Sequence, residues 1–145
     1  KNEIEFRKYL NYFENNILAV RLIFGYIKNL DKNDLPDAYK FQLGGQTSLR
    51  GWSSPHEYST SNGLLVDILN IEYRFPIKKK FGGEIFFDTG RLYETINNFN
   101  SSKYSWNYGF GLVYQSALGP IRLDAGFPFG NISFPQFHAS LLYMF

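Results

Sequence analysis

Residues 63–77 read GLLVDILNIEYRFPI. Leu65, Leu69, Ile71, Tyr73 and Phe75 fall on one parity, and Val66, Ile68, Asn70, Glu72 and Arg74 on the other. A period of two is the mark of a strand, because successive side chains of an extended backbone point to opposite faces. One face of this strand is aliphatic and ends in aromatics, while the other carries an amide, an acid and a base. Six further segments read the same way. In 4–13, Ile4, Phe6, Leu10 and Tyr12 oppose Glu5, Arg7, Tyr9 and Asn11; in 17–28, Leu18, Val20, Leu22, Phe24 and Tyr26 oppose Ala19, Arg21, Ile23 and Gly25. GGEIFFDTGRLY (82–93) sets Ile85 and Phe87 against Glu84, Phe86 and Asp88. WNYGFGLVYQ (106–115) sets Trp106, Tyr108, Phe110, Leu112 and Tyr114 against Asn107, Gly109, Gly111 and Gln115. PIRLDAGFPF (120–129) opposes Ile121, Leu123, Ala125 and Phe127 to Arg122, Asp124 and Gly126, and QFHASLLYMF (136–145) opposes Phe137, Ala139, Leu141, Tyr143 and Phe145 to His138, Ser140 and Leu142.

Segments of about ten residues are the length of a tilted strand that crosses a bilayer. Their connections alternate. ENN, KKKF and ALGP are short, whereas 29–62, 94–104 and 130–135 are long. Short turns on one side and long loops on the other are the habit of outer-membrane barrels. Composition agrees. Of 145 residues, 19% are aromatic, with 15 Phe and 11 Tyr, yet mean hydropathy is slightly negative. That pairing suits apolar side chains facing lipid around a polar interior. A soluble β-sandwich is the alternative, but it leaves unexplained the glycine-rich face of 106–115. The expected class is all-β, an antiparallel transmembrane barrel with seven or eight strands in view, forming one domain over 1–145. No run of about 18 apolar residues is present for a transmembrane helix. A net charge of +2 with scattered bases argues against nucleic acid, and the lack of cysteine excludes disulfides and thiolate metal sites. Because the chain begins at Lys1, it is expected to be a mature product or a fragment.

GGQTSLRGW (44–52), IEYRFPI (71–77), FFDTG (86–90), ALGPIRLDAGFPF (117–129) and FHASLLYMF (137–145) stand in an order that resembles the BamA/TamA superfamily of outer-membrane assembly factors. The resemblance covers nearly the whole chain and matches the C-terminal half of that family's sixteen-stranded barrel. It departs from the family in lacking N-terminal POTRA repeats and in showing too few strands. The chain is therefore expected to be a C-terminal half or a whole reduced barrel. Since a sheet in lipid leaves no edge unpaired, an eighth strand before residue 1, or a second chain, is expected to seal the 4–13 segment.

The resemblance also gives the lone arginine of GGQTSLRGW a place. It implies that the loop 29–62 folds into the lumen and that Arg50 meets acids on two neighbouring walls, at the matching positions Glu72 and Asp88. Both acids already lie on the inward parity. A planar guanidinium can engage two acceptors at fixed angles. Gly44, Gly45 and Gly51 would let the backbone turn tightly, Trp52 would pack the loop tip, and Leu49 completes the motif. At the other end, His138, Ser140, Tyr143 and Phe145 resemble the C-terminal signal by which assembly machinery recognises its clients.

Other clusters carry less. Ser53, Ser54, His56 and Glu57 lack the held nucleophile, oriented base and oxyanion hole of a hydrolase. His56 and His138 have no third metal ligand. GFG at 109–111 lies within a strand and is not a nucleotide loop, and Lys78–Lys80 read as a solvated turn. The expected protein is therefore no enzyme and needs no cofactor. It resides in the bacterial outer membrane as an assembly or insertion factor; a secretion pore for an attached or separate passenger and a reduced barrel without transport are the alternatives. Its expected partners are the lipid bilayer and unfolded outer-membrane proteins or a passenger, with a second copy of itself as a further candidate and no nucleic acid. Tyr12, Tyr26, Tyr73, Phe75, Trp106, Tyr114, Tyr143 and Phe145 are expected at the two interfaces. An arginine at Leu22 or Leu69 should be costly, and one at lumen-facing Asn70 cheap.

Overall fold

The computed structural model describes residues 1–13, 15–28, 35–54, 62–93, 104–130, 134–142 and 144–145, apart from the Tyr12 side chain. His56, Glu57 and Tyr143 lie outside the described residues, as does the Tyr12 ring. Seven antiparallel strands form one sheet, each paired with the next in sequence: β1 (Asn2–Tyr12), β2 (Asn16–Tyr26), β3 (Leu65–Lys78), β4 (Phe81–Tyr93), β5 (Ser105–Ser116), β6 (Gly119–Pro128) and β7 (Gln136–Leu141). Among the described residues the only helical turn is Asp37–Tyr39. Among the described residues no helix is long and apolar enough to cross a membrane.

Burial is inverted relative to a soluble protein. On β5, outward Trp106, Phe110 and Leu112 are 51%, 57% and 56% exposed, whereas inward Asn107 is fully buried. The same alternation runs along β3, where Asn70, Glu72 and Arg74 are buried between half-covered Leu69, Ile71, Tyr73 and Phe75. Water would not tolerate so continuous an apolar surface; lipid does. Aromatic rings pair across this outer surface, as in Tyr108–Phe127 and Phe87–Trp106. Towards the long loops, an outward Asp67–Arg91 ion pair of 3.0 Å, with the Arg91 guanidinium over the Tyr104 ring, limits the apolar band.

Strand register arranges the inward residues in three rows that cross the sheet. The first runs Arg21, Asn70, Asp88, Asn107; the second Glu72, Phe86, Gly109, Gly126; the third Arg74, Glu84, Gly111, Asp124, His138. The middle row is nearly bare at its glycine end, with charged rows on either side. It is a trough.

The sheet is open: β1 and β7 are its two edges and do not pair with each other. In a seven-stranded antiparallel meander the first and last strands run the same way. Antiparallel closure therefore takes an odd number of additional strands. A second copy inserted in the same orientation would meet β1 and β7 with strands parallel to them, so it closes the sheet less favourably than strands of the opposite sense.

Candidate functional site

The loop between β2 and β3 lies on the inner face. Its stem is a two-residue bridge: Phe41 and Gly63 exchange both backbone hydrogen bonds, at 2.9 and 3.0 Å. Beyond it, residues 44–52 close on themselves. Gly45 N donates to Trp52 O, Trp52 N to Leu49 O, and the Ser48 hydroxyl both accepts from Gly44 N and donates to Gly44 O. Gly44 and Gly45 have φ of 112° and 88°, a left-handed region that a side chain resists, which is why this turn opens on two glycines.

Two forces hold the loop against the wall. The first is apolar. Leu43 and Leu49 pack with Phe41 on Ile23, Ile27, Val66 and Ile68, with Trp52 at the rim. Ile23, Val66 and Ile68 sit on the inward parity, so the lumen wall is not polar throughout. It carries an apolar pad under the loop. The second is polar. Thr47 O accepts from Arg21 Nη1 at 2.8 Å, Ser48 O from Asn70 Nδ2 at 2.7 Å, and His138 Nε2 lies 3.0 Å from Arg50 O. Buried carbonyls need such donors.

The Arg50 side chain enters the trough. Asp88 accepts from Arg50 N at 3.2 Å, from Nε at 2.9 Å and from Nη2 at 2.7 Å. Nη1 donates to Glu72 at 2.6 Å and to Glu84 at 3.4 Å. The guanidinium lies 3.6 Å above the centroid of Phe86. Arg50, Glu72 and Asp88 are all completely buried. Burial opposes the charge on Arg50, but Asp88 beside it, with Glu72 and Glu84, more than compensates and raises its pKa above the ordinary arginine value.

The structure thus brings Arg50, Glu72 and Asp88 together, and adds partners that the sequence reading passed over. Glu84 is a third acid on Arg50, and Asn70 and Asn107 each donate to Asp88. Arg74 engages Glu72, while Arg122 bonds Asp124 and lies 3.5 Å from Glu84. Each of these lay on the inward parity, and that was the available signal. Gly51 is packed against Asn107 and Pro128. Asn70, fully buried between Ser48 and Asp88, is no cheap position for an arginine, contrary to the expectation from its face alone.

The C-terminal residues also depart from expectation. Phe145 is not at an interface. It is buried inside, its carbonyl accepting from Arg74 Nη2 at 2.9 Å and its ring 5.5 and 5.8 Å from the Arg74 and Arg21 guanidinium carbons. Leu142, with φ of 72°, turns the chain inward after β7. His138 and half-buried Ser140 face the lumen. Ser53 and Ser54 lie in the bend after Trp52. Among the described residues no three of His, Asp and Glu are grouped to hold a metal ion.

A model of the Omp85 superfamily domain matches residues 1–137. The chain belongs to the Omp85 superfamily. It is 28% identical over 138 residues to "Outer membrane protein assembly factor BamA" of Nitratidesulfovibrio vulgaris, covering 88% of this chain and 17% of that protein. It is 30% identical over 99 residues to "Outer envelope protein 39, chloroplastic" of Arabidopsis thaliana, covering 63% of this chain and 26% of that one. The chain therefore spans about a sixth and a quarter of these two relatives' lengths. Membership agrees with the inverted burial: the sheet is the wall of an outer-membrane β-barrel, and the protein is an integral outer-membrane protein.

One Omp85 feature is open to a direct test. A Cβ on Gly126 would collide with the Arg50 carbonyl, a backbone atom that cannot step aside alone. Gly126→Ala should lift the loop at an overpacking cost of about 1–3 kcal/mol. Protease cleavage within 41–54 should rise in the folded protein while the strand signal in circular dichroism stays. Unchanged cleavage would mean that the wall does not gate the loop.

Proposed function

We propose that this Omp85 chain is the barrel part of an assembly factor that helps other outer-membrane proteins insert. The observation that carries the reading is the loop docked on the inner wall by buried Arg50. The loop fills part of the lumen, with Leu43, Leu49 and Arg50 sealed beneath it. That narrows a route through the barrel and favours work at its edge. An edge strand offers unsatisfied N–H and C=O groups, to which an incoming strand can add by backbone pairing. The energy comes from the client's own folding, so no nucleotide or cofactor enters.

The similarity to a BamA assembly factor supports this reading. The test is to place the full-length protein in liposomes and follow the folding of an unfolded outer-membrane barrel. Faster folding than in empty liposomes, reduced by Arg50→Ala, is expected. No acceleration, together with passage of a polypeptide across the bilayer, would favour a secretion pore instead.

A further inference from the structure

Three loop carbonyls are held by side chains from different strands. Arg21 on β2 takes Thr47 O in an exposed bond, and Asn70 on β3 takes Ser48 O in a buried one. The third is His138, on β7, which takes Arg50 O. The side chain of Arg50 meanwhile reaches back to Glu72 and Asp88 on β3 and β4. One residue thus links β3 and β4 to β7 across the inner face. Gly126 on β6 leaves room for the carbonyl to arrive. Among the described strands β7 is also the shortest, and it pairs with β6. Its chain then turns inward, where Arg74 holds the Phe145 carbonyl while bonding Glu72.

We propose that His138 is a positioning residue that couples the Arg50 loop to β7, so that undocking the loop and loosening β7 are one event. The chemistry fixes the form of the link. A carbonyl only accepts, so Nε2 carries the proton. That proton is present both in the neutral Nε2–H tautomer and in the imidazolium, so the link does not require a charged ring. A glutamine amide can place an N–H at the same distance from the backbone, whereas alanine cannot. The inference rests on the assembly reading only for its consequence, which is that a client pairing at β7 would be sensed at the loop.

The test is hydrogen exchange on the full-length protein in lipid nanodiscs, with no client present, so its outcome is independent of assembly activity. His138→Ala should raise exchange of the 44–52 amides about fivefold, the effect of one lost hydrogen bond. His138→Gln should stay near wild type. In the other direction, Arg50→Ala should raise exchange in the β6–β7 ladder, far from its own side chain. The idea is overturned if loop exchange in His138→Ala is unchanged, if His138→Gln behaves like His138→Ala, or if Arg50→Ala frees the loop and leaves β7 as protected as before. The Arg50→Ala arm decides the matter should His138→Ala fail to fold.

Discussion

Arg50→Ala should release the 41–54 loop and leave the seven-stranded sheet folded. The size of the effect follows from burial. The sequence leads one to expect a wet lumen, where an ion pair is weak. The loop itself changes that, because Leu43, Leu49 and the backbone of 44–52 cover the trough and leave Arg50, Glu72 and Asp88 without solvent. Removing the guanidinium strands Asp88 and Glu72 as buried acids, a loss of about 3–5 kcal/mol when one partner of a buried pair is deleted. Arg74 and Arg122 remain near Glu72, so its charge stays partly compensated. Asp88 keeps only neutral donors: the side-chain amides of Asn70 and Asn107 and, while the loop stays docked, the backbone N–H of residue 50. Double-mutant cycles should therefore rank the partners. Coupling of Arg50 with Asp88, which takes two of its side-chain hydrogen bonds, should exceed coupling with Glu72, which takes one, and Glu84 at 3.4 Å should come last. Arg50→Lys should recover part of the loss, because an ammonium cannot make the side-on contact with Asp88 and reach Glu72 at once. Loop proteolysis and stability of the refolded protein measure both quantities. Coupling near zero at Asp88 would mean that the arginine does not hold the loop.

What could be read in advance followed from period two. Alternation alone assigned Glu72, Asp88, Glu84, Arg122 and Asp124 to one side of the sheet, since a strand leaves no freedom in the matter. Alternation does not say what covers that side. Val66 and Ile68 share a face with Asn70 and Glu72, and a strand-by-strand reading has no use for two aliphatic residues there. They make sense only once Leu43 and Leu49 arrive from a loop some twenty residues upstream. Asn70 was misjudged for the same reason: its face is lumenal, but its amide is consumed by Ser48 and Asp88. Phe145 failed differently. Parity places it outward only if the strand runs on to the last residue, and the positive φ at Leu142 breaks the alternation before then. A leucine in that region carries no warning in the sequence.

Ile71→Arg should cost about 2–4 kcal/mol in folding into a bilayer, at the upper end of that range. The position matters as much as the residue. Along β3 the outward surface is bounded at one end by the Asp67–Arg91 pair and at the other by the turn at Lys78–Lys80. Ile71 lies between Val20 and Phe87 on the neighbouring strands, near the middle of that interval. Leu69 is two residues from Asp67, about 7 Å along the strand. An arginine there can extend its head towards the interface, so Leu69→Arg should fall at the lower end. The control is an inward position outside the arginine network. Asn70 will not serve. Asn11 on β1 faces inward and is exposed, so Asn11→Arg should cost less than about 0.5 kcal/mol. The expected order is Ile71, then Leu69, then Asn11, read from denaturant titrations of the full-length protein in one lipid. Equal costs at Ile71 and Asn11 would mean that the apolar face does not meet lipid, and the inverted burial of this sheet would need another explanation.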